Sequence, residues 1–207
     1  MTVGRLLHEY LSLNDDDPKP WLKAPASAAE IAATEQTVGF SLPDDLKAIF
    51  GQHNGGRLLD EHVWLSCKEG SHGLAGATEH LQKQLVPNLR IDGLLNLVPG
   101  PHALMVTSPG ETGVIYDPDL QSSRLLYLDV LAVPSIVPFA RDLENLLRCY
   151  IAIARAGLVN PGPRGPELAG SVEELYPVFL AHDVAPIPPF GIERWLNSPF
   201  FTDLFPK

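Results

Sequence analysis

Apolar side chains recur at three- and four-residue steps in two separate parts of the chain. Between residues 27 and 56, Leu46, Ile49 and Phe50 fall on one face of a predicted helix. Between residues 138 and 157 a longer set follows the same spacing: Phe139, Leu143, Leu146, Leu147, Tyr150, Ile151 and Ala154. A period near 3.6 residues is typical of amphipathic helices, so both parts are predicted to be helical with one buried face.

The first of these parts begins with a short helix that has clear end signals. Ser27 and Glu30 stand in capping-box spacing, in which the hydroxyl and the carboxylate each bond a backbone N–H of the first turn. Gly39 follows where a left-handed C-terminal residue is expected. The sequence therefore predicts a helix that ends at Gly39.

A second short helix is predicted to follow at once. Ser41 is a candidate N-cap, and Pro43 suits the first turn because its missing N–H has no intrahelical partner to lose. Asp44 and Asp45 place negative charge at the positive end of the helix dipole. The tripeptide Asn54-Gly55-Gly56 ends the helix, since these residues tolerate positive φ.

The middle of the chain has the pattern of an antiparallel sheet. Short apolar or β-branched runs at 94–98, 103–107, 113–116 and 125–130 are separated by Pro-Gly and Asp-Pro turn signals. Strands joined by short turns pair with their neighbours. We predict an α+β fold with two N-terminal helices, a central antiparallel sheet of about four to six strands, the helix at 138–157 as its cover, and a helical C-terminal extension.

The chain changes character after Gly157. Residues 159–170 are rich in Pro and Gly and resemble a linker, and Ser171 with Glu174 repeats the capping-box spacing. We predict one domain over residues 1–157, including an N-terminal lead-in, and a Pro-rich, partly helical extension over 158–207 that packs on it.

Composition and charge exclude several classes of function. The 207 residues carry a formal net charge of −10, whereas nucleic-acid-binding domains are usually basic. The N-terminus lacks a signal-peptide pattern and no apolar run reaches transmembrane length, so we expect a cytoplasmic protein without membrane contact. Cys67 and Cys149 are expected to be free buried thiols. An acidic surface suits solubility or a basic protein partner.

No catalytic constellation is visible in the sequence. His62, Cys67 and His72 are the nearest approach to a metal site, but their spacing fits no zinc motif and a fourth ligand is missing. His53 is expected to interact with the last carbonyl groups of the preceding helix. We therefore predict no enzyme activity, no cofactor and no metal.

Acidic pairs on turns and helix starts are the features that a partner could recognise at a distance. The side chains predicted to form a partner-binding surface are Asp60, Glu61, Asp117, Asp119, Glu173 and Glu174. Taken singly, each pair also has a local explanation, since Asp and Glu are common in turns and in first turns of helices.

The segment from Ser27 to Gly56 resembles the N-terminal signature of the SUKH superfamily, which includes the fungal Smi/Knr regulators and many bacterial immunity proteins. The resemblance extends over roughly Ala24 to Ala156. The structural residues that carry it are Ser27, Glu30, Gly39, Leu42, Pro43, Asp44, Leu46, Phe50, Asn54, Gly55 and Gly56, and Ile31, Glu35, Asp45 and His53 also match.

The resemblance implies a binding protein rather than an enzyme. Our first hypothesis is an immunity-type protein that neutralises a cognate bacterial toxin, for example a basic nuclease, as a monomer or weak homodimer. A cellular regulatory scaffold of the same fold is the alternative. The third and weakest hypothesis is an unrecognised hydrolase that uses His53 or the set of His62, Cys67 and His72.

Overall fold

The computed structural model of the chain describes residues 2–13, 22–57, 63–67, 73–88, 98–107, 112–121, 123–129, 135–162 and 165–185. The α-helices in these ranges are α1 (Val3–Ser12), α2 (Ala28–Val38), α3 (Asp44–Phe50), α4 (Leu74–His80), α5 (Leu143–Arg155) and α6 (Val172–Ala181). Helix α4 continues into a π-helical turn, Leu81–Leu85, and a 3-10 turn, Val86–Asn88. None of the helices in the described ranges is long and apolar enough to cross a membrane.

The strands of the same ranges are β1 (Gly56–Arg57), β2 (Val63–Trp64), β3 (Leu104–Met105), β4 (Thr112–Tyr116), β5 (Leu125–Asp129), β6 (Ser135–Ala140), β7 (Val159–Gly162) and β8 (Gly165–Leu168). Strands β3 to β6 form an antiparallel sheet in chain order, and a bridge between Trp64 and Thr107 joins β2 to its β3 side. The predicted α+β fold is confirmed. Of the predicted run at 94–98, only Val98 lies inside the described residues.

The end signals of α2 act as the sequence predicts. The Ser27 hydroxyl accepts a hydrogen bond from the Glu30 N–H at 3.2 Å, and the Glu30 carboxylate accepts one from the Ser27 N–H at 2.8 Å. Gly39 ends the helix with a φ of +86°. Ser41, by contrast, does not cap α3, because Pro43 occupies the N-cap position and no side chain bonds there.

The predicted helix from residue 138 is wrong at its start. Strand β6 continues to Ala140, and α5 begins at Leu143, where the Asp142 carboxylate accepts the Asn145 N–H at 2.8 Å. Strand β6 pairs with β5 on one side and lies at the edge of the four-stranded sheet, where a residue such as Pro138 is tolerated. Phe139 lies at a register shift between β5 and β6 and is buried in the core.

The predicted linker at 159–170 is also wrong, because β7 and β8 form an antiparallel hairpin there. Pro161 faces Pro166 across the pair. In a two-stranded ribbon each strand has an unpaired side, so proline can occur without removing a ladder bond.

Helix α5 lies at the centre of the core, between the sheet and two flanking helices. Its buried residues are Leu143, Leu146, Leu147, Cys149, Tyr150, Ile151 and Ile153. Helix α1 packs on one side, with the Tyr10 and Tyr150 rings 5.9 Å apart, and α6 contributes the buried Leu175 and Phe179. The Ala185 N–H donates to the Phe139 carbonyl, which ties the end of the described extension to β6. Division of the chain at residue 157 stays a prediction.

Candidate partner-binding surface

The polar residues of the N-terminal signature connect the helix pair to the rest of the fold. Asn54 is 3% exposed and accepts the Cys67 N–H through its Oδ1 at 2.6 Å. Gly55 has a φ of +89°, and a Cβ at this position would lie 2.7 Å from the Trp64 carbonyl oxygen. The Asn-Gly pair therefore lets the turn after α3 lie directly against the β2 segment.

Glu35 has a similar structural task between α2 and α3. Its Oε1 accepts the Leu42 N–H at 2.8 Å and lies 2.8 Å from the Lys47 ammonium. The hydrogen bond from Lys47, followed by that from Leu42, holds the pKa of the Glu35 carboxyl below its usual value. The link between the two helices thus depends on an ionised carboxylate.

Asp45 joins α3 to the end of β4. The buried Tyr116 hydroxyl donates to the Asp45 carboxylate, with oxygen–oxygen distances of 3.0 and 3.2 Å. Burial, with the Asp45 charge second, raises the pKa of Tyr116 above its usual value. This bond brings the first turn of α3, including the exposed Asp44, to the end of the sheet where the turn 117–120 begins.

Asp117 stabilises that turn from inside. It is 0% exposed, and its carboxylate accepts the Gly100 N–H at 2.7 Å and the Asp119 N–H at 3.0 Å. A side chain with both oxygens engaged below the surface has no access to a partner. The burial of Asp117 therefore argues against the direct contact that the sequence suggested for it.

Asp119 lies on the surface of the same turn, beside two aromatic rings. Its Oδ2 is 2.9 Å from His102 Nδ1, and the His102 ring meets the Phe40 ring nearly edge to face, with centroids 5.1 Å apart. The His102 and Asp119 side chains are 49% and 44% exposed. We call Phe40, Asp44, His102 and Asp119 the end surface.

The other predicted acidic residues lie elsewhere. Glu173 and Glu174 are exposed in the first turn of α6, and Glu174 also closes the capping box with Ser171. The chain just after the opposite end of α6 pairs with β6 through the Val184–Ala140 bridge. The length of the helix, about 15 Å, separates its first turn from this bridge. Asp60 and Glu61 lie outside the described residues.

The residues considered for chemistry offer little reactivity. Cys67 is buried, and burial raises its pKa to about 11, which leaves little thiolate near neutral pH. His62 and His72 lie outside the described residues, and within the described ranges no three His, Cys, Asp or Glu side chains cluster as metal ligands do. His53 Nδ1 lies 3.3 Å from the Lys23 carbonyl oxygen. The sequence predicts instead that His53 contacts the last carbonyl groups of α3.

The surface predicted from the sequence includes Asp119 but not Phe40 or His102, which lie next to it. A signal was present, because the Pro99-Gly100-Pro101 turn precedes β3 and the Asp117-Pro118-Asp119 turn follows β4. In an antiparallel pair, the start of one strand lies beside the end of the next, as the Leu104–Tyr116 pairing shows. The two turns must therefore meet at one end of the sheet.

Comparison with known proteins gives one family. The model of the SMI1 / KNR4 family (SUKH-1) matches residues 25–156, which is more than half of the chain. The matched part contains α2 to α5, the four-stranded sheet and the whole end surface. No curated protein matches the chain.

Proposed function

The chain belongs to the SMI1/KNR4 family (SUKH-1), and on this premise we propose that it is an immunity-type protein that binds and neutralises a cognate protein toxin in the cytoplasm. Membership of the family is consistent with an immunity-type role. The protein would act by covering a surface of the toxin, without catalysis and without a cofactor.

The observation that carries the proposal is the composition of the end surface. Asp44 and Asp119 are exposed acids, and His102 contacts both the Asp119 carboxylate and the Phe40 ring. Aromatic side chains are enriched in the centre of protein interfaces, and surrounding charges set orientation and association rate. With a net charge of −10, the protein would attract a basic partner, such as a nuclease-type toxin, over distance.

The packing around α5 also supports the choice of the end surface. Helix α5 is enclosed between β6, α1 and α6, and its ends are tied by ion pairs such as Arg155 with Glu9 at 2.7 Å. A partner would have to displace part of this packing to reach the buried face of α5. The end surface requires no such displacement, because Asp44, His102 and Asp119 are already exposed and Phe40 is partly exposed.

Co-expression with the toxin-like product of a neighbouring gene in the native genome tests the proposal. We expect the protein to restore growth and to co-purify with the toxin. The double variant Asp44→Asn/Asp119→Asn should lower the association rate by about tenfold at low salt, and added salt should reduce the difference.

A second pair of variants separates the end surface from the start of α6. Glu173→Gln/Glu174→Gln removes the same formal charge, and Gln at 174 retains the capping-box hydrogen bond. If only this pair weakens binding, the partner binds at α6 and the end surface is the wrong choice. If no toxin is neutralised and deletion causes a defect in monoculture, the protein is a regulatory scaffold instead.

A further inference from the structure

One buried carboxylate holds the backbone near two polar members of the end surface, His102 and Asp119. Asp117 Oδ2 accepts the Gly100 N–H at 2.7 Å, and its Oδ1 accepts the Asp119 N–H at 3.0 Å. Gly100 lies two residues before His102 in the chain. The same side chain therefore holds the backbone on each side of the His102–Asp119 pair.

The loop that carries His102 is also held from its other side. Gln82, in the π-helical turn after α4, donates through Nε2 to the carbonyl oxygens of Gly100 at 3.1 Å and Ala103 at 3.3 Å. A Cβ at Gly100 would lie 3.0 Å from Asp119 Oδ2 and 3.4 Å from the Asp117 carboxylate. A side chain at position 100 would therefore crowd both carboxylates, and the Asp119 carboxylate would have to shift by a few tenths of an ångström.

This geometry decides the tautomer of the His102 ring. An ionised carboxylate can only accept hydrogen bonds, so the contact of 2.9 Å requires a proton on His102 Nδ1. In the neutral ring Nε2 then has a free lone pair. Within the described part of the chain no group hydrogen-bonds to Nε2, and the side chain is 49% exposed.

We propose that Asp117 is a positioning residue, which holds the loop at Gly100 and the turn at Asp119 so that His102 donates its Nδ1–H to Asp119 and offers Nε2 to a partner as an acceptor. The side chain acts below the surface and does not itself contact the partner.

The proposal also specifies the chemistry of the partner, and this step rests on the proposed function. His102 Nε2 and the Asp119 carboxylate are neighbouring acceptors, and Phe40 adds an aromatic ring next to them. A positively charged donor suits the exposed acceptors, and the planar guanidinium of arginine suits them best, since it combines several N–H groups with stacking on aromatic rings. The surface is therefore built for an arginine-bearing segment of a basic protein.

The tautomer can be measured on the isolated protein by two-bond ¹H–¹⁵N correlation spectra at about pH 8, where an ordinary imidazole is neutral. We expect the wild-type His102 signals to show a proton on Nδ1. Asp119→Ala should move the ring to the Nε2–H form, because the acceptor at Nδ1 is lost. Glu167→Gln, an exposed change of equal charge on β8, should leave the spectrum unchanged.

Two variants test the role of Asp117 independently. Asp117→Asn places an amide where two backbone N–H groups require acceptors. Gly100→Ala leaves Asp117 intact, but its new Cβ crowds the Asp119 carboxylate. Both should move His102 toward the Nε2–H form. If Asp117→Asn fails to fold, Gly100→Ala tests the step through which Asp117 acts, namely that the position of the Gly100 loop sets the tautomer, and a wild-type tautomer in this variant overturns the proposal. Wild-type signals in the folded variants would overturn the proposal.

Binding to the co-expressed toxin then tests the positioning role of Asp117 and the arginine-binding surface separately. Weaker toxin binding by Gly100→Ala, together with the changed tautomer, supports both the positioning role and the arginine-binding surface. A changed tautomer with unchanged binding supports the positioning role and overturns the choice of partner surface. Binding that is weakened without a change in tautomer overturns the positioning role and leaves the proposed function intact.

Discussion

The bond between Tyr116 and Asp45 offers the sharpest test of how the helix pair is fixed to the sheet. Tyr116 is 1% exposed, and its hydroxyl donates to the Asp45 carboxylate at 3.0 Å. Tyr116→Phe removes the donor without leaving a buried polar group. A hydrogen bond to a charged group contributes about 1.5–3 kcal/mol, but water can replace the hydroxyl at the half-buried Asp45, so we expect a loss of about 1–2 kcal/mol.

The reverse truncation should cost more. Asp45→Ala leaves the Tyr116 hydroxyl buried without its acceptor, which costs about 1–3 kcal/mol, and it removes a carboxylate that contributes about 0.3–1 kcal/mol to the first turn of α3. Together these contributions predict a total loss of about 1.3–4 kcal/mol. The double variant should lose less than the sum of the single variants, because both changes remove the same bond.

Urea unfolding of the four proteins measures these differences in the free energy of unfolding. Effects that add within about 0.5 kcal/mol would refute the coupling, since independent sites behave in that way. Loss in Tyr116→Phe alone, with no effect of Asp45→Ala, would show that the hydroxyl acts through another partner, such as Arg124, and not through Asp45.

The same bond predicts a dependence on alkaline pH. The pKa of Tyr116 is raised in the folded state, so between the unfolded value, near 10, and the folded value the native protein binds more protons than the unfolded chain. Stability is then complete below about pH 10 and falls as pH rises through this window. Tyr116→Phe should have a smaller decrease of stability over the same window, and an unchanged decrease would contradict the assignment.

Three further changes examine other parts of the fold. Gly55→Ala should destabilise the protein by about 2–4 kcal/mol, because the new Cβ would meet the β2 backbone. Gly39 has a similar φ but open space around it, so Gly39→Ala should cost only about 1–2 kcal/mol. Equal losses in urea unfolding would contradict the close approach at Gly55. Glu35→Gln should flatten the acid limb of the plot of stability against pH. A carboxyl with a lowered pKa stabilises the folded protein above its unfolded-state pKa, and this stability is lost as the pH falls through its folded-state pKa. Parallel acid limbs for the two proteins would exclude this role. Cys67 should react with a thiol reagent at about pH 8 only after unfolding, because burial raises its pKa to about 11, and rapid labelling of the native protein would disprove this.

The features predicted correctly from the sequence depend on residues close together in the chain. The capping boxes that begin with Ser27 and Ser171 both form, because each needs only its own residue and the one three positions later. Gly39 and Gly157 take the left-handed conformation at the ends of their helices for the same reason. Such local signals are sufficient when a few neighbouring residues make every bond.

The errors occurred where a distant segment decided the structure. Pro138 and Phe139 continue the helical spacing of α5, but pairing with β5 holds them in β6, and no local signal reports that the strand lies at a sheet edge. The end surface likewise depends on the β3–β4 register, which brings His102 to Asp119 across 17 positions of sequence. Buried Asp117 shows the same limit, because an Asp-Pro turn alone does not reveal which way its carboxylate points.

Two helices that lie outside the family match cover α5, and this bears on where a partner can bind. Helices α1 and α6 lie outside residues 25–156, yet both pack on α5 and bury apolar side chains there, including Leu7 and Phe179 at 0% exposure. The segments beyond the match therefore complete the core on the helical side of the fold. The end surface lies wholly within the match and keeps its acids and the His102 ring exposed, with Phe40 partly buried beside them. Because α1 and α6 close one side of α5, the end surface remains the one that we propose for a basic partner.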